Sequence, residues 1–254
     1  MRVEMLREGH FGEVEEHPLM TVFMPSMVDQ MKHETGNYSY EVWLGFDLGD
    51  PLFDNADKRE RMTASLSRLT RGLPVSFHWV QYEGMEGKVF WIYNDLFRQA
   101  YAGGADYFYM VNDDLRLATR GWVDGFVEAL ASSPIAPNFG VTGPLDLRDK
   151  HKHHMCFTFH HRTHYEIFGT FYPPVFQNWW SDYWATLVFG PKATFWLKDV
   201  HVQNTEVAGR RYPAFWEGAD MLPDEVSAGR KRLGQYCKCG AAGGKWRYEG
   251  CLFS

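Results

Sequence analysis

Residues 107–114 read YFYMVNDD, an aromatic and aliphatic run that passes directly into an amide and two carboxylates. An uninterrupted apolar run of this length predicts a strand that is buried on both faces, as in a parallel sheet. Such sheets bind their ligands beyond the carboxyl ends of the strands. Asn112, Asp113 and Asp114 therefore predict a polar site at that edge. A turn or a helix N-cap is the alternative interpretation of the same three residues.

Strand and helix patterns alternate on both sides of this run. Apolar runs predict strands at 19–24, 40–46, 75–80 and 155–159, and residues 140–144 look like the end of another strand. Helical spacing predicts helices at 57–69, 88–101, 121–130 and 178–188. Strands that alternate with helices predict βαβ units. We therefore expect an α/β fold, a single domain whose mainly parallel central sheet is flanked by helices.

The overall composition excludes two classes of protein. The 254 residues carry 32 acidic and 26 basic side chains, a formal net charge of −6, and 17% of the residues are aromatic. A chain so rich in aromatic residues is not disordered, and its charge disfavours a general nucleic-acid binder, which needs clustered Lys and Arg. The first residues lack the apolar run of a secretory signal, and no segment has the roughly 20 apolar residues of a membrane span. We expect a soluble chain, either cytoplasmic or an excised luminal catalytic domain.

The four cysteines are Cys156, Cys237, Cys239 and Cys251. Their spacing matches neither the Cys-x-x-Cys zinc pattern nor a disulfide framework that is distributed over a domain. We expect ordinary reduced thiols, with a zinc or disulfide staple near the C-terminus as the alternative.

The acidic strand end also predicts a metal site. Two adjacent carboxylates repel each other, and a divalent cation relieves that repulsion. Oxygen ligands in an open site suit Mg²⁺ or Mn²⁺, because these ions keep coordination positions for substrate phosphates.

The order of features around this site resembles that of the GT-A glycosyltransferases, which use nucleotide-sugar donors and carry a short acidic motif at this strand end. The resemblance covers about residues 18–205. The matching features, in chain order, are Pro25-Ser26, Asp47, Gly87-Lys88, Asn94, Ala105-Asp106-Tyr107, the acidic strand end and Gly121-Trp122.

The resemblance implies a Rossmann-like GT-A catalytic domain at 18–205. Residues 18–130 would form the nucleotide-sugar half of this domain and residues 131–205 the acceptor half. Residues 1–17 would then be an N-terminal extension, and residues 206–254 a C-terminal extension that wraps the domain.

The resemblance further implies that Asp114 binds Mn²⁺ or Mg²⁺ together with His201, since GT-A enzymes commonly return a C-terminal histidine to the metal. Asn112 stands where the strict motif has its first carboxylate, and we assign it to the metal site as well. Asp113 is then expected to hold the ribose of the donor or to support the metal ligands from outside the coordination shell. The other donor-binding residues that the resemblance implies are Ser26, Asp47, Lys88 and Asn94.

Asp182 lies at the start of the predicted Trp-rich helix. Many inverting GT-A enzymes hold there the carboxylate that accepts the proton of the acceptor hydroxyl. The alternative is a structural carboxylate that the helix dipole stabilises. The tryptophans form two sets: Trp179, Trp180 and Trp184, which we expect to form a sugar platform, and Trp43, Trp79 and Trp91, which we expect in the core.

Six of the eleven histidines fall within 14 positions, at 151, 153, 154, 160, 161 and 164. Along a strand, His160 and His161 point to opposite faces, which argues against a dedicated metal site. We expect a polar loop with one or two substrate contacts, and direct metal ligation is the alternative. The resemblance assigns Arg162 and His164 to the acceptor site.

Together these assignments predict a metal-dependent glycosyltransferase that moves a sugar from a nucleoside-diphosphate sugar to the hydroxyl of a glycan or another acceptor. The reaction inverts the sugar if Asp182 is the base. The first alternative is a sugar nucleotidyltransferase, although residues 24–29 lack the Gly-rich basic phosphate loop of that class. The second alternative is a noncatalytic module that binds glycans through its tryptophans. The sequence leaves the oligomeric state open.

Overall fold

Strands and helices alternate along most of the chain, and the α/β class is confirmed. The computed structural model describes residues 12–148, 154–205 and 213–242. The strands are β1 (Tyr40–Asp47), β2 (Val75–Tyr82), β3 (Tyr107–Tyr109), β4 (Leu115–Leu117), β5 (Val141–Asp146), β6 (Phe159–His161) and β7 (Thr194–Asn204). The α-helices are α1 (Met24–Met31), α2 (Ala56–Leu69), α3 (Val89–Ala102), α4 (Trp122–Ala131), α5 (Thr163–Phe168), α6 (Ser181–Val188) and α7 (Gly218–Ala242). This α/β domain with mixed sheets is consistent with the expected Rossmann-like architecture.

The described strands form two sheets. Strands β1 and β2 pair in parallel, in a register that runs from Tyr40 opposite Val75 to Asp47 opposite Tyr82. The second sheet has the order β3-β6-β5-β7-β4. In it β5 and β7 are parallel, whereas β6 is antiparallel to β3 and β5, and β4 is antiparallel to β7. The expectation of one mainly parallel central sheet is therefore wrong: the described strands form two sheets, and in the second sheet three of the four pairings are antiparallel. Parallel pairing holds for the two longest ladders.

The apolar run at 19–24 is helical, so the strand predicted there is wrong. A π-helical turn at Leu19–Phe23 continues directly into α1. Its buried side chains recur at helical spacing, from Leu19 through Phe23 to Met27. Pro25 lies in the first turn of α1, where its missing N–H costs little. A short apolar run fits a buried strand and a buried helix equally well, which explains the error.

The predicted Trp-rich helix begins later than expected, at Ser181. Trp180 precedes it with φ 77°, in the left-handed region, and its indole Nε1 donates to the main-chain oxygen of Phe215 at 2.9 Å. A bulky residue in this conformation costs about 1–3 kcal/mol, and surrounding contacts must hold it there. Asn178, the first residue of the predicted helix, instead bonds to the main chain of Gly87, Pro213 and Phe215.

Helix α3 packs closely on β1 because Gly45 has no side chain. A Cβ atom at this position would lie only 2.6 Å from Ile92 Cγ2 and 3.1 Å from a ring carbon of Tyr82. This close approach brings the start of α3 beside the carboxyl end of β1, where one wall of the candidate site forms.

Two apolar cores support the second sheet. One contains side chains of α3, α5, α6 and α7. The other contains side chains of α1, α2 and α4 together with β4. None of the helices in the described ranges has both the length and the apolarity that crossing a bilayer requires.

Candidate active site

A cleft of about 640 Å³ opens beyond the carboxyl end of β3, between that edge, β1 and the start of α3. This volume is in the range of small-molecule sites in proteins. The residues that line it are His17, Leu19, Phe23, Val42, Trp43, Leu44, Gly45, Phe46, Phe53, Trp79, Val89, Ile92, Tyr93, Leu96, Val111, Asn112, Asp113, Asp114, Trp179 and Asn204. The cleft therefore contains the predicted acidic strand end.

The polar end of the cleft, which we call the acidic corner, consists of Asn112, Asp113, Asp114 and Asn204. Asp114 is buried, with 5% of its surface exposed. The main-chain oxygen of Asp114 accepts hydrogen bonds from the N–H and the hydroxyl of Thr205, at 3.2 and 2.8 Å. Pairing of β4 with β7 sets Asn204 opposite Leu115, so the end of β7 meets the residues that follow β3.

The donor set of the acidic corner fits a divalent cation. Asn204 Oδ1 is buried and has no hydrogen-bond donor among the described residues. A buried oxygen without a donor is costly in isolation, and a cation would satisfy it. Two carboxylates and amide oxygens in an open cleft are the ligands that Mg²⁺ and Mn²⁺ prefer.

His17 is a residue of this site that sequence reasoning missed. Its Nδ1 accepts a hydrogen bond from the Leu19 N–H at 3.2 Å, which leaves the ring proton on Nε2. Nε2 lies 3.5 Å from Asp113 Oδ2, and the His17 side chain is 8% exposed. His17 thus restrains Asp113. No motif marks it, and it falls within the segment expected to be an N-terminal extension.

The tryptophans are distributed differently from the prediction. Trp43, Trp79 and Trp179 all line the cleft, although the first two were expected in the core. Trp43 also stacks on His78, with ring centroids 4.1 Å apart. Trp91 was likewise expected in the core, but 36% of its surface is exposed.

The other two members of the expected sugar platform lie outside the lining of the cleft. Trp184 is a core residue with 2% exposure, so its assignment to the platform is wrong. Trp180 is half-buried, and its indole N–H is bonded to Phe215 as described above. Of the three, the structure brings only Trp179 to the cleft.

Two of the predicted donor-binding residues lie beside the cleft. Asp47 ends β1, directly after Phe46, which lines the cavity. Lys88 precedes Val89, another lining residue, and its Nζ lies 3.2 Å from the Gly84 oxygen.

Ser26 and Asn94 instead hold the fold together. The Ser26 hydroxyl donates to the Phe23 oxygen at 2.8 Å and accepts from the Leu117 N–H at 3.1 Å. The Asn94 side chain makes paired hydrogen bonds with the main chain of Tyr172, at 2.9 and 2.8 Å. Neither side chain lines the cleft.

His201 is also outside the lining of the cleft. Its N–H donates to the Thr119 hydroxyl at 2.8 Å, and its oxygen accepts from the Ala118 N–H at 3.1 Å. His201 precedes Asn204 by three residues, about 10 Å along an extended strand. Asn204 therefore occupies the place at the acidic corner that we expected for His201.

Arg162 and His164 lie near the opposite end of the sheet from the acidic corner. They follow β6, which runs antiparallel to β3, and the Arg162 N–H donates to Asp106, the residue before β3, at 2.7 Å. His164 is 2% exposed, and burial lowers its pKa to about 4. Its Nε2 lies 2.8 Å from the Phe171 oxygen. The structure does not bring these two predicted acceptor residues to the cleft.

The histidine tract shows the expected alternation along β6. His160 is fully buried, whereas His161 is half-buried, so the prediction of opposite faces is confirmed. His151 and His153 lie outside the described residues. His154, in contrast, has a specific neighbour, Asp182, whose Oδ2 lies 3.1 Å from its Nε2.

Asp182 lies in the first turn of α6, as predicted, three residues after Trp179. Its Oδ1 accepts the N–H of Tyr183 at 2.9 Å, and its side chain is 21% exposed. His154, Cys156 and Asp182 form what we call the His–Cys–Asp cluster, whose ligand atoms all lie within 4.8 Å of one another. Among the described residues, this is the group of three such side chains close enough to hold a metal, and the sequence analysis did not connect them.

The cysteines differ in oxidation state. Cys156 is a reduced thiol, whereas Cys237 is in a disulfide. The expectation of reduced thiols is therefore wrong for Cys237. The side chains of Cys239 and Cys251 lie outside the described residues.

Comparisons with known proteins yield one solved structure to report. The mannosyltransferase PcManGT from Pyrobaculum calidifontis, in complex with GDP-Man and Mn²⁺, matches 96% of this chain and 87% of its own, with a TM-score of 0.44 and 12% sequence identity. No protein-family model matches the sequence, and no curated protein does. A structural likeness this weak says nothing about activity. The function proposed below is therefore argued from the residues of the cleft.

Proposed function

We propose that this chain is a metal-dependent glycosyltransferase, which moves a sugar from a nucleoside-diphosphate sugar to an acceptor hydroxyl. The observation that carries the proposal is that the oxygen donors of the acidic corner and three tryptophans line the same cleft of about 640 Å³. Ligand sites of this kind combine apolar and aromatic walls with a few convergent polar groups. A nucleotide sugar offers matching parts: a diphosphate for the acidic corner, and a base and a sugar for the rings.

The acidic corner would serve the diphosphate. Asp113 and Asp114 are the carboxylates that we propose hold a Mn²⁺ or Mg²⁺ ion, with Asn112 and Asn204 as further oxygen donors. This proposal assigns Asp113 to the ion and not, as the sequence analysis expected, to the ribose or to the support of the metal ligands. When bound, such an ion supplies positive charge against the negative charge that develops on the leaving diphosphate. His17 acts on Asp113 as a positioning residue, because it restrains the carboxylate at 3.5 Å.

The donor would extend from the acidic corner along β1 and the start of α3. We propose that Asp47 contacts the nucleoside and that Lys88 contacts the diphosphate. The Lys88 ammonium lies 4.9 Å from the Trp91 ring, at the start of α3 beside the cleft. A lysine in this position offers a point charge to a phosphate oxygen.

Asp182 is our proposal for the general base. The acceptor oxygen bonds to the anomeric carbon, its proton passes to the Asp182 carboxylate, and the bond from that carbon to the diphosphate breaks with the electron pair leaving on the diphosphate. A single displacement of this kind inverts the anomeric carbon. Support comes from the short chain distance between Asp182 and Trp179, a residue of the cleft.

The proposal is tested by the release of nucleoside diphosphate from a panel of nucleotide sugars, with Mn²⁺ and then with EDTA. We expect turnover with Mn²⁺ and its loss in EDTA. Asp114→Asn should lower turnover by about 100-fold or more, the scale of losing one preorganised electrostatic group. Asp29→Asn, the same change at an exposed aspartate of α1, should retain activity.

Full activity in EDTA would overturn the metal requirement. The same experiment separates the two alternatives from the proposal. A glycan-binding module would release no nucleoside diphosphate. A sugar nucleotidyltransferase would consume a nucleoside triphosphate and a sugar phosphate and would release pyrophosphate.

A further inference from the structure

We propose that the His–Cys–Asp cluster is a second metal site, distinct from the acidic corner, and that it binds zinc. Its three ligand atoms are His154 Nε2, Cys156 Sγ and an oxygen of Asp182, all within 4.8 Å of one another. The cluster lies at the same end of the second sheet as the acidic corner. This follows because β6 is antiparallel to β3, so the residues before β6 lie beside the residues that follow β3.

Two of the three distances within the cluster match the edges of a zinc tetrahedron. Zinc binds imidazole nitrogen and carboxylate oxygen at about 2.0 Å and thiolate sulfur at about 2.3 Å, so tetrahedral angles give edges of about 3.3 Å between nitrogen and oxygen and about 3.5 Å between sulfur and nitrogen. The observed distances are 3.1 Å from His154 Nε2 to Asp182 Oδ2 and 3.6 Å from Cys156 Sγ to His154 Nε2. His154 is therefore already spaced from both partners as in a zinc site, and the Cys156 sulfur and the Asp182 oxygen, within 4.8 Å of each other, would move together to complete it.

The backbone that carries the cluster is held from both sides. A Cβ at Gly143 of β5 would lie 2.5 Å from the Phe157 oxygen, so the glycine allows this segment to pack closely on the sheet. The Met155 N–H donates to the Thr186 hydroxyl of α6 at 3.1 Å. The His154 ring stacks on Tyr183, with centroids 3.6 Å apart. These contacts fix the positions of His154 and Cys156 relative to Asp182.

The donor atoms select zinc over the ion proposed for the acidic corner. Thiolate and imidazole are favoured ligands of zinc, whereas Mg²⁺ and Mn²⁺ prefer oxygen. Cys156 is not in a disulfide, so its sulfur is in the reduced form that a metal binds. The His154 and Asp182 side chains are 13% and 21% exposed, so an ion can reach the cluster and a fourth position remains for water or another ligand.

Zinc in this cluster would affect the reaction, a consequence that rests on the function proposed above. A carboxylate oxygen that is bound to zinc is a poor acceptor for the proton of an acceptor hydroxyl. Zinc would then compete with the role of Asp182 as base, while the acidic corner keeps its own ion.

Cobalt absorbance tests the site without any substrate. We expect Co²⁺ to bind the metal-free full-length chain with a thiolate-to-cobalt charge-transfer band, and one equivalent of Zn²⁺ to abolish that band. Cys156→Ser should remove the band. His154→Asn should weaken zinc binding by about 100-fold or more, since even losing an outer partner of a ligand costs 10–100-fold.

A matched variant identifies the source of the signal. His33→Asn makes the same change at an exposed histidine and should retain the band. The proposal is overturned if the wild-type chain shows no thiolate band, or if the band survives in Cys156→Ser. Because the assay contains no nucleotide or sugar, its outcome is independent of whether the chain transfers a sugar.

Discussion

The acidic corner and the His–Cys–Asp cluster lie at the same end of one sheet, yet they offer different atoms to a metal. The corner presents carboxylate and amide oxygens to an open cleft. The cluster presents one nitrogen, one sulfur and one oxygen within 4.8 Å. The comparison teaches that the two proposed sites would share one end of a sheet and still separate their ions, because donor chemistry distinguishes Mn²⁺ from Zn²⁺.

The two regions also differ in how far they are assembled without a ligand. In the cluster, three side chains already place their ligand atoms within 4.8 Å of one another. The acidic corner is not such a group among the described residues. A corner with fewer protein ligands suits Mg²⁺ or Mn²⁺, which take further ligands from substrate phosphates and water. A set of three protein ligands that leaves a fourth position open suits zinc.

The largest effect that separates the regions is expected for Asp182→Asn. If Asp182 is the base, turnover falls by about 100-fold or more, while metal-dependent nucleotide binding at the acidic corner stays unchanged. Steady-state kinetics and nucleotide affinity measured on the same variant check this. Asp199→Asn, at an exposed position of β7, is the matched control. Turnover near the wild-type value would mean that Asp182 is not the base, and would leave it only its place in the His–Cys–Asp cluster.

A smaller effect sharpens the description of the acidic corner. Asn204→Ala should weaken Mn²⁺ binding by about tenfold, because it removes a buried oxygen beside Asp114. His201→Ala, on the same strand, should leave Mn²⁺ affinity unchanged, because His201 lies outside the lining of the cleft. Titration of both variants with Mn²⁺ measures the difference. The opposite ranking would return His201 to the metal site, as the sequence analysis expected.

The sequence predicts those parts of the fold that depend on local pattern. Helices α2, α3 and α4 begin and end within two residues of their predicted bounds, and the acidic strand end lies in the cleft as predicted. In α2 the local signal is clear, since Asn55 caps the helix by accepting the Lys58 N–H. The strand predicted at 19–24 is wrong because a short apolar run fits both a buried strand and a buried helix. Packing against the core makes it helical here.

The sequence does not predict which residues meet across the fold. The direction of β6 determines that Arg162 lies beside Asp106, far along the sheet from Asp114, and no local pattern encodes that direction. Trp79 and Trp184 are a second case in which the local sequence does not predict where a side chain lies. Each has an apolar neighbourhood in the sequence, but one lines the cleft and the other is buried in the core.

The His–Cys–Asp cluster depends on contact between residues 28 positions apart, His154 and Asp182. The sequence argument against a metal site considers only the spacing between histidines, and so it does not include ligands of other residue types. The partners of His154 are a cysteine two residues away and a carboxylate on α6. Only the packing of this segment on α6 brings the three together.

The most direct test of the central claim is calorimetric titration of GDP, UDP, ADP and CDP into the chain, with and without Mn²⁺. The central claim is that the acidic corner binds a nucleoside diphosphate through a divalent cation. It predicts that at least one nucleotide binds in Mn²⁺, and that EDTA or Asp114→Asn abolishes this binding. Binding that is equal with and without the metal, or absent for all four nucleotides, would contradict it.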